Sequence, residues 1–105
     1  MKLTEIKHLL DRHGILLTKS LGQNFMHDQN QLRRIVDAAE LAPSERVLEI
    51  GPGLGPLTET LLTTGVEVVA VETDLRLVEV LRERFAGEKR LTLIHADALE
   101  YLARI

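Results

Sequence analysis

Within the 105 residues, the stretch whose residue types and spacing could do chemistry is Glu49-Ile50-Gly51-Pro52-Gly53-Leu54-Gly55. It sits between an apolar run, Val47 to Ile50, and a helical pattern that opens at Pro56. Glycines lack a Cβ, so they permit a tight turn and let a ligand come close to backbone N–H groups at a helix N-terminus. A strand-to-helix turn needs one or two of them, and the third glycine points to a nucleotide-type ligand. Spacing then removes two candidates. The dinucleotide fingerprint requires a third glycine three residues after its second. Counted from Gly51 that place holds Pro56, and counted from Gly53 it holds Thr58. A phosphate-binding P-loop ends in Gly-Lys-Ser or Gly-Lys-Thr, whereas this loop ends in Gly55-Pro56-Leu57.

An acid two residues ahead of a Gly-x-Gly-x-Gly run resembles the S-adenosylmethionine loop of class I methyltransferases. That ligand carries an amino-acid moiety and a sulfonium and no phosphate, so a carboxylate nearby suits it. Glu72 closes the next apolar run about 20 residues on, where an acid in such sheets accepts hydrogen bonds from ribose hydroxyls. Asp74, two residues later, reads as the cap of the following helix. Asp97 ends the third apolar run, where its carboxylate has lone pairs both for an adenine amino group and for a helix cap. His8, His13, His27 and His95 lack metal-ligand spacing, and with no cysteine in the chain no metal site is expected. Arg33, Arg34 and Lys19 read as solvated positions, too few to form a basic patch.

These residues need elements to hold them. Leu3, Ile6, Leu9 and Leu10 recur at helical spacing, so a helix is expected over Thr4 to His13, ending at Gly14. Residues Ile15 to Met26 are irregular. A second helix should start at Asp28 with a capping-box pattern to Gln31 and run to about Leu41, before Pro43. Val47 to Ile50, Val66 to Val71 and Leu91 to Ile94 read as strands buried on both faces. Helices Pro56 to Thr64 and Asp74 to Phe85 lie between them, and a last helix should begin at the Asp97 capping box. Strand and helix in alternation mean a right-handed parallel sheet.

Composition bounds the rest. At 45% hydrophobic and 28% charged, with net charge -3, the chain has the balance of one globular domain with a modest core. The first 46 residues are nearly neutral and the remainder acidic, and only Phe25, Phe85 and Tyr101 are aromatic. Neither a basic RNA-binding face nor a base-stacking platform is expected. There is no cysteine, no signal-like segment and no apolar run of membrane-spanning length, which makes a cytoplasmic location the expectation, without membrane contact.

The segment Leu21-Gly22-Gln23-Asn24-Phe25-Met26, then Asp28 and Ile35-Val36, with Leu48 to Gly55 and Asp97-Ala98, resembles the amino-terminal part of the ribosomal RNA adenine dimethyltransferases. Gly-x-Gly-x-Gly is generic to methyltransferases, and Gln-Asn-Phe upstream of it is far more specific. The resemblance spans residues 15 to 100. It implies an α/β, Rossmann-like class I methyltransferase fold reduced to about three parallel strands with flanking helices. Residues 1–45 would be a helical segment carrying the Gln-Asn-Phe loop, and residues 46–105 the first half of the cofactor-binding domain. The implied activity is S-adenosylmethionine-dependent dimethylation of N6 of two adjacent adenosines in small-subunit ribosomal RNA, or in a pre-ribosomal particle. By the same resemblance Asn24 and the backbone at Met26 embrace the methionine end of the cofactor, Gly51 lies under it, Glu72 holds the ribose and Asp97 reads the adenine. Met26 stands where the family usually has leucine.

The family's Asn-Leu-Pro-Tyr segment, which orients the target adenine, and its helical carboxy-terminal domain do not occur in these residues. The chain therefore carries no catalytic residue of its own, and by itself it is expected to be inactive. A non-enzymatic nucleoside-binding or interaction module is the alternative, and a nicotinamide-dependent dehydrogenase is disfavoured by the glycine spacing. In the class I sheet the order begins 3-2-1-4, so the strand at Val47 to Ile50 should present an open edge and promote self-association.

Overall fold

A computed structural model describes residues 2–20 and 29–105. Its elements run α1 (Leu3–Arg12), α2 (Gln29–Ala38), β1 (Arg46–Ile50), α3 (Pro56–Leu62), β2 (Glu67–Glu72), α4 (Leu75–Arg84), β3 (Leu91–His95) and α5 (Ala98–Arg104). The three strands are parallel, in the order β1-β2-β3. Each expected strand and helix in this part of the chain is present, with no end moved by more than three residues.

Local chemistry accounts for most ends. Asp74 and Asp97 have extended backbone and accept hydrogen bonds from Arg76 N–H (2.9 Å) and Glu100 N–H (3.1 Å), capping α4 and α5. Pro56 occupies the first turn of α3, where its missing N–H costs nothing. Helix α2 ends at Ala38, three residues before the expected Leu41. Its exit uses Glu40 in the left-handed region, at φ 49°, a conformation that carboxylate side chains give little sign of in sequence. The start expected for α2 at Asp28 lies outside the described residues.

Register fixes the two faces of the sheet. Val47 and Glu49 align with Val68 and Ala70, and these with Leu91 and Leu93. This face packs on Val36 of α2 and on Leu61 and Leu62 of α3, with Phe85 against them. Helix α1 lies further out, where Ile6, Leu9 and Leu10 join Ile15, Leu54 and Val80 of α4 in a second cluster. The described parts of residues 1–45 thus share both cores with the sheet unit. Arg12 adds an ion pair and His13 a hydrogen-bond contact to Glu83 of α4, at 3.1 and 2.7 Å.

The opposite face corrects one expectation. Burial on both faces holds for β2 but not for its neighbours: in β1 Leu48 is 37% and Ile50 48% exposed, and no residue of β3 is fully buried, since each lies at an edge of the described sheet. Among the described elements α5 lies on this face, with Tyr101 and Ile105 bordering a groove beside Leu48 and Val69. Among the described residues β1 pairs only with β2, which matches the open edge expected from the strand order. No helix among them is long and apolar enough to cross a membrane.

Candidate functional site

Parallel strands point their C-terminal ends the same way, and in open α/β sheets ligands bind outside those ends. Here the register Ile50↔Val71↔Ile94 and Glu72↔His95 brings three expected site residues to one rim: Gly51 just past β1, Glu72 closing β2, and Asp97 just past β3. Glu72 is in the middle. Asn24 and Met26 lie outside the described residues.

The glycine loop is built from backbone hydrogen bonds to its neighbours. Gly51 N–H donates to the Val71 carbonyl at 2.9 Å, and Gly55 N–H to Pro52 at 2.9 Å, closing a tight turn. Gly51, Gly53 and Gly55 all have positive φ (67°, 61° and 88°), which side-chain-bearing residues adopt only at a cost. Gly55 carries a second requirement. A Cβ there would stand 2.6 Å from Arg84 Nη1, 2.7 Å from Phe85 Cε2 and 3.0 Å from Leu81 Cδ2, whereas Gly51 and Gly53 face open space. Two of the three glycines thus leave the loop accessible, and the third lets it press on α4.

Glu72 is only 7% exposed. Its Oε1 accepts from Gly53 N–H at 3.3 Å and its Oε2 from Asp74 N–H at 3.0 Å. A carboxylate offers about four acceptor positions, so two loop amides can be held with capacity left for hydroxyl donors. Asp97 caps α5 from the same rim, and Ala96 N–H donates to the Glu72 carbonyl at 3.1 Å. His95 Nε2 lies 3.0 Å from the Thr73 carbonyl, tying the ends of β2 and β3 together.

The departures from the dinucleotide pattern now have reasons. Thr58, at the third-glycine place counted from Gly53, is fully buried, and its hydroxyl donates to Glu49 Oε1 at 2.5 Å. Glu49, also 7% exposed, faces α3 with Ala70 beside it. Burial pushes its carboxyl above the ordinary carboxylate value, with the Thr58 bond opposing. The acid before the glycines therefore anchors α3 to β1.

One residue of the site gave no sequence signal. Arg84, in the last turn of α4, reads as an ordinary C-terminal cation. In the fold its side chain is 3% exposed, and its guanidinium donates to the Leu54 carbonyl at 2.6 Å and to Glu59 Oε2 at 3.2 Å. It also lies 4.7 Å from the Phe85 ring centroid. Burial lowers its pKa and Glu59 opposes that, leaving an arginine that stays charged.

The family description ribosomal RNA adenine dimethylase matches residues 15–102. The chain belongs to this family. Ribosomal RNA small subunit methyltransferase A of Listeria monocytogenes serotype 4b is 46% identical over 92 residues, covering 88% of this chain and 31% of the relative. The chain thus spans about a third of the length of the curated relatives it matches. Among solved structures, the 23S rRNA methyltransferase ErmE aligns with a TM-score of 0.65 at 40% identity, over 70% of this chain and 30% of that one. A methyltransferase from Geobacter sulfurreducens, solved with S-adenosyl-L-homocysteine, aligns with a TM-score of 0.59 at 25% identity, over 68% of this chain and 30% of that one. The family member described here has the α/β, Rossmann-like architecture of the class I methyltransferases, with three parallel strands and their helices.

Proposed function

We propose that this chain binds S-adenosylmethionine and forms the cofactor-holding part of an enzyme that dimethylates N6 of two adjacent adenosines in small-subunit ribosomal RNA, free or in a pre-ribosomal particle. The observation that carries the reading is the rim at which Gly51, Glu72 and Asp97 meet at the ends of three neighbouring strands. The cofactor, when bound, supplies a methyl group activated on a sulfonium. Gly51 gives its methionine end a surface without side chains. Glu72 accepts from the ribose hydroxyls, and Asp97 from the adenine amino group while capping α5. Asn24 and the backbone at Met26 complete the methionine end. In this reading residues 1–45 bring the Gln-Asn-Phe loop to the first half of the cofactor domain, residues 46–105, and the protein acts in the cytoplasm, where ribosomal RNA is its partner.

Calorimetric titration tests the cofactor. S-adenosylmethionine and S-adenosylhomocysteine should bind and NAD should not, and Glu72→Ala should weaken binding by about 1 to 3 kcal/mol for a lost charge-assisted pair. An unchanged dissociation constant would remove Glu72 from the ribose. Labelled-methyl transfer into small-subunit RNA should be undetectable with these 105 residues alone, because the adenine-orienting segment is not among them. Transfer would show that other residues orient the base.

The open side of the sheet supports self-association of the isolated chain through a second copy. Leu48 and Ile50 are partly exposed, Ile105 at the end of α5 borders the same groove as Leu48, and the adjacent strand edge pairs with nothing among the described residues. Light scattering should show mass rising with concentration. A monomer mass throughout the micromolar to millimolar range refutes it.

A further inference from the structure

We propose that Arg84 is a positioning residue for the cofactor loop, holding it in one conformation from the α4 side. The inference rests on the cofactor reading above and goes beyond it by naming a residue outside the rim.

Glycine-rich loops have a problem of choice. Residues without a Cβ visit many backbone conformations at similar energy, yet a binding site needs one. Three contacts select the conformation here. Val71 holds Gly51 N–H, Glu72 holds Gly53 N–H, and Arg84 holds the Leu54 carbonyl. The first is an extension of the sheet, and the second involves the very carboxylate that the ribose would engage. The third comes from α4, behind the loop.

The Leu54–Gly55 peptide unit shows what Arg84 does. Its N–H is bonded to Pro52 and its carbonyl to Arg84 Nη1. With glycine on its C-terminal side this unit could rotate at little steric cost, and rotation would break the turn and swing the start of α3. The guanidinium opposes rotation by a short bond in a place screened from water. Its second branch, on Glu59, fixes α3 to α4, so the loop and the helix it feeds move together. Gly55 makes the approach possible, since any Cβ there would meet Arg84 and Phe85. The third glycine and the buried arginine therefore form one device.

Arg84→Met keeps most of the apolar stem and removes every donor. Affinity for S-adenosylhomocysteine, measured by calorimetry well below the unfolding midpoint, should fall roughly tenfold or more. The backbone amide resonances of Gly53 and Gly55 should move, and Arg84→Lys should recover part of the affinity because it keeps a charged donor but lacks the two-branched fork of the guanidinium. A role in stability alone predicts a lower urea midpoint with unchanged affinity and unmoved glycine resonances, and that result overturns the proposal. Should Arg84→Met not fold, Arg84→Lys decides: a loss of about threefold or more with displaced glycine resonances supports it, and wild-type affinity overturns it. If the wild-type chain binds no S-adenosylhomocysteine, the cofactor reading fails first, and the glycine resonances of the variants still report whether Arg84 sets the loop.

Discussion

The two faces of the sheet carry similar side chains and meet different fates. On one, Val68 and Ala70 are fully buried and Val47, Leu91 and Leu93 partly so, against α2 and α3 with Phe85 at the end of α4. On the other, Leu48 and Ile50 of the same strand remain partly in water because α5 reaches only part of the face. Apolar sequence makes a strand able to be buried, and the elements packed against it decide whether it is. The glycine loop repeats the contrast on a small scale, with Gly55 pressed against α4 on the covered side and Gly51 and Gly53 open.

The largest expected effect tests the faces directly. Leu61→Ala, in the covered core, should cost about 2 to 5 kcal/mol through lost burial and the cavity left behind. Ile50→Ala, on the open face, should cost less than about 1 kcal/mol, because much of its side chain is already hydrated. Urea unfolding of both variants at a concentration where light scattering gives a monomer mass measures the difference, and equal costs would mean that the face is covered within the single chain. The loop gives the next contrast. Gly53→Ala should cost about 1 to 2 kcal/mol for a left-handed alanine, while Gly55→Ala adds overpacking of about 1 to 3 kcal/mol against Arg84, Phe85 and Leu81. Similar midpoints for the two would show that α4 yields.

The smallest effect concerns the buried acid on the covered side. Because burial raises the Glu49 carboxyl in the folded state, the fold binds that proton more tightly than the unfolded chain does. Its contribution to stability is therefore greatest at low pH and is lost as pH rises from the ordinary carboxylate range through the raised folded value. Glu49→Gln keeps an acceptor for Thr58 and removes the titration. Its stability at neutral pH should lie within about 1 kcal/mol of wild type, with a shallower decline between acidic and neutral pH. A large loss at neutral pH would show that the ionised carboxylate is what α3 requires.

Much of this is legible in the sequence. Asp74 and Asp97 stood at the junctions where helix caps belong, and the apolar runs around Glu72 placed it at a strand end. The open edge of β1 followed from strand order. What stayed hidden depended on neighbours distant in sequence. Arg84 is one arginine among several near a helix end, and only packing distinguishes it from Arg82, which pairs at the surface with Glu79. The partnership of Thr58 with Glu49 showed itself only as a failed glycine position. The early exit of α2 at Ala38 uses a left-handed glutamate, where a glycine would have announced it.

The bond from His13 to Glu83 joins residues 70 positions apart. Helix α1 comes first in the chain, yet the surface it needs, Val80 with Leu77 and Glu83, exists only once α4 has formed and docked. Closing so long a loop costs chain entropy before any contact repays it. The earliest segment should therefore be the last to settle and the first to lift away. Amides of α1 should exchange with deuterium before those of β2, so that a single native molecule would breathe at its N-terminal helix while its sheet stays shut.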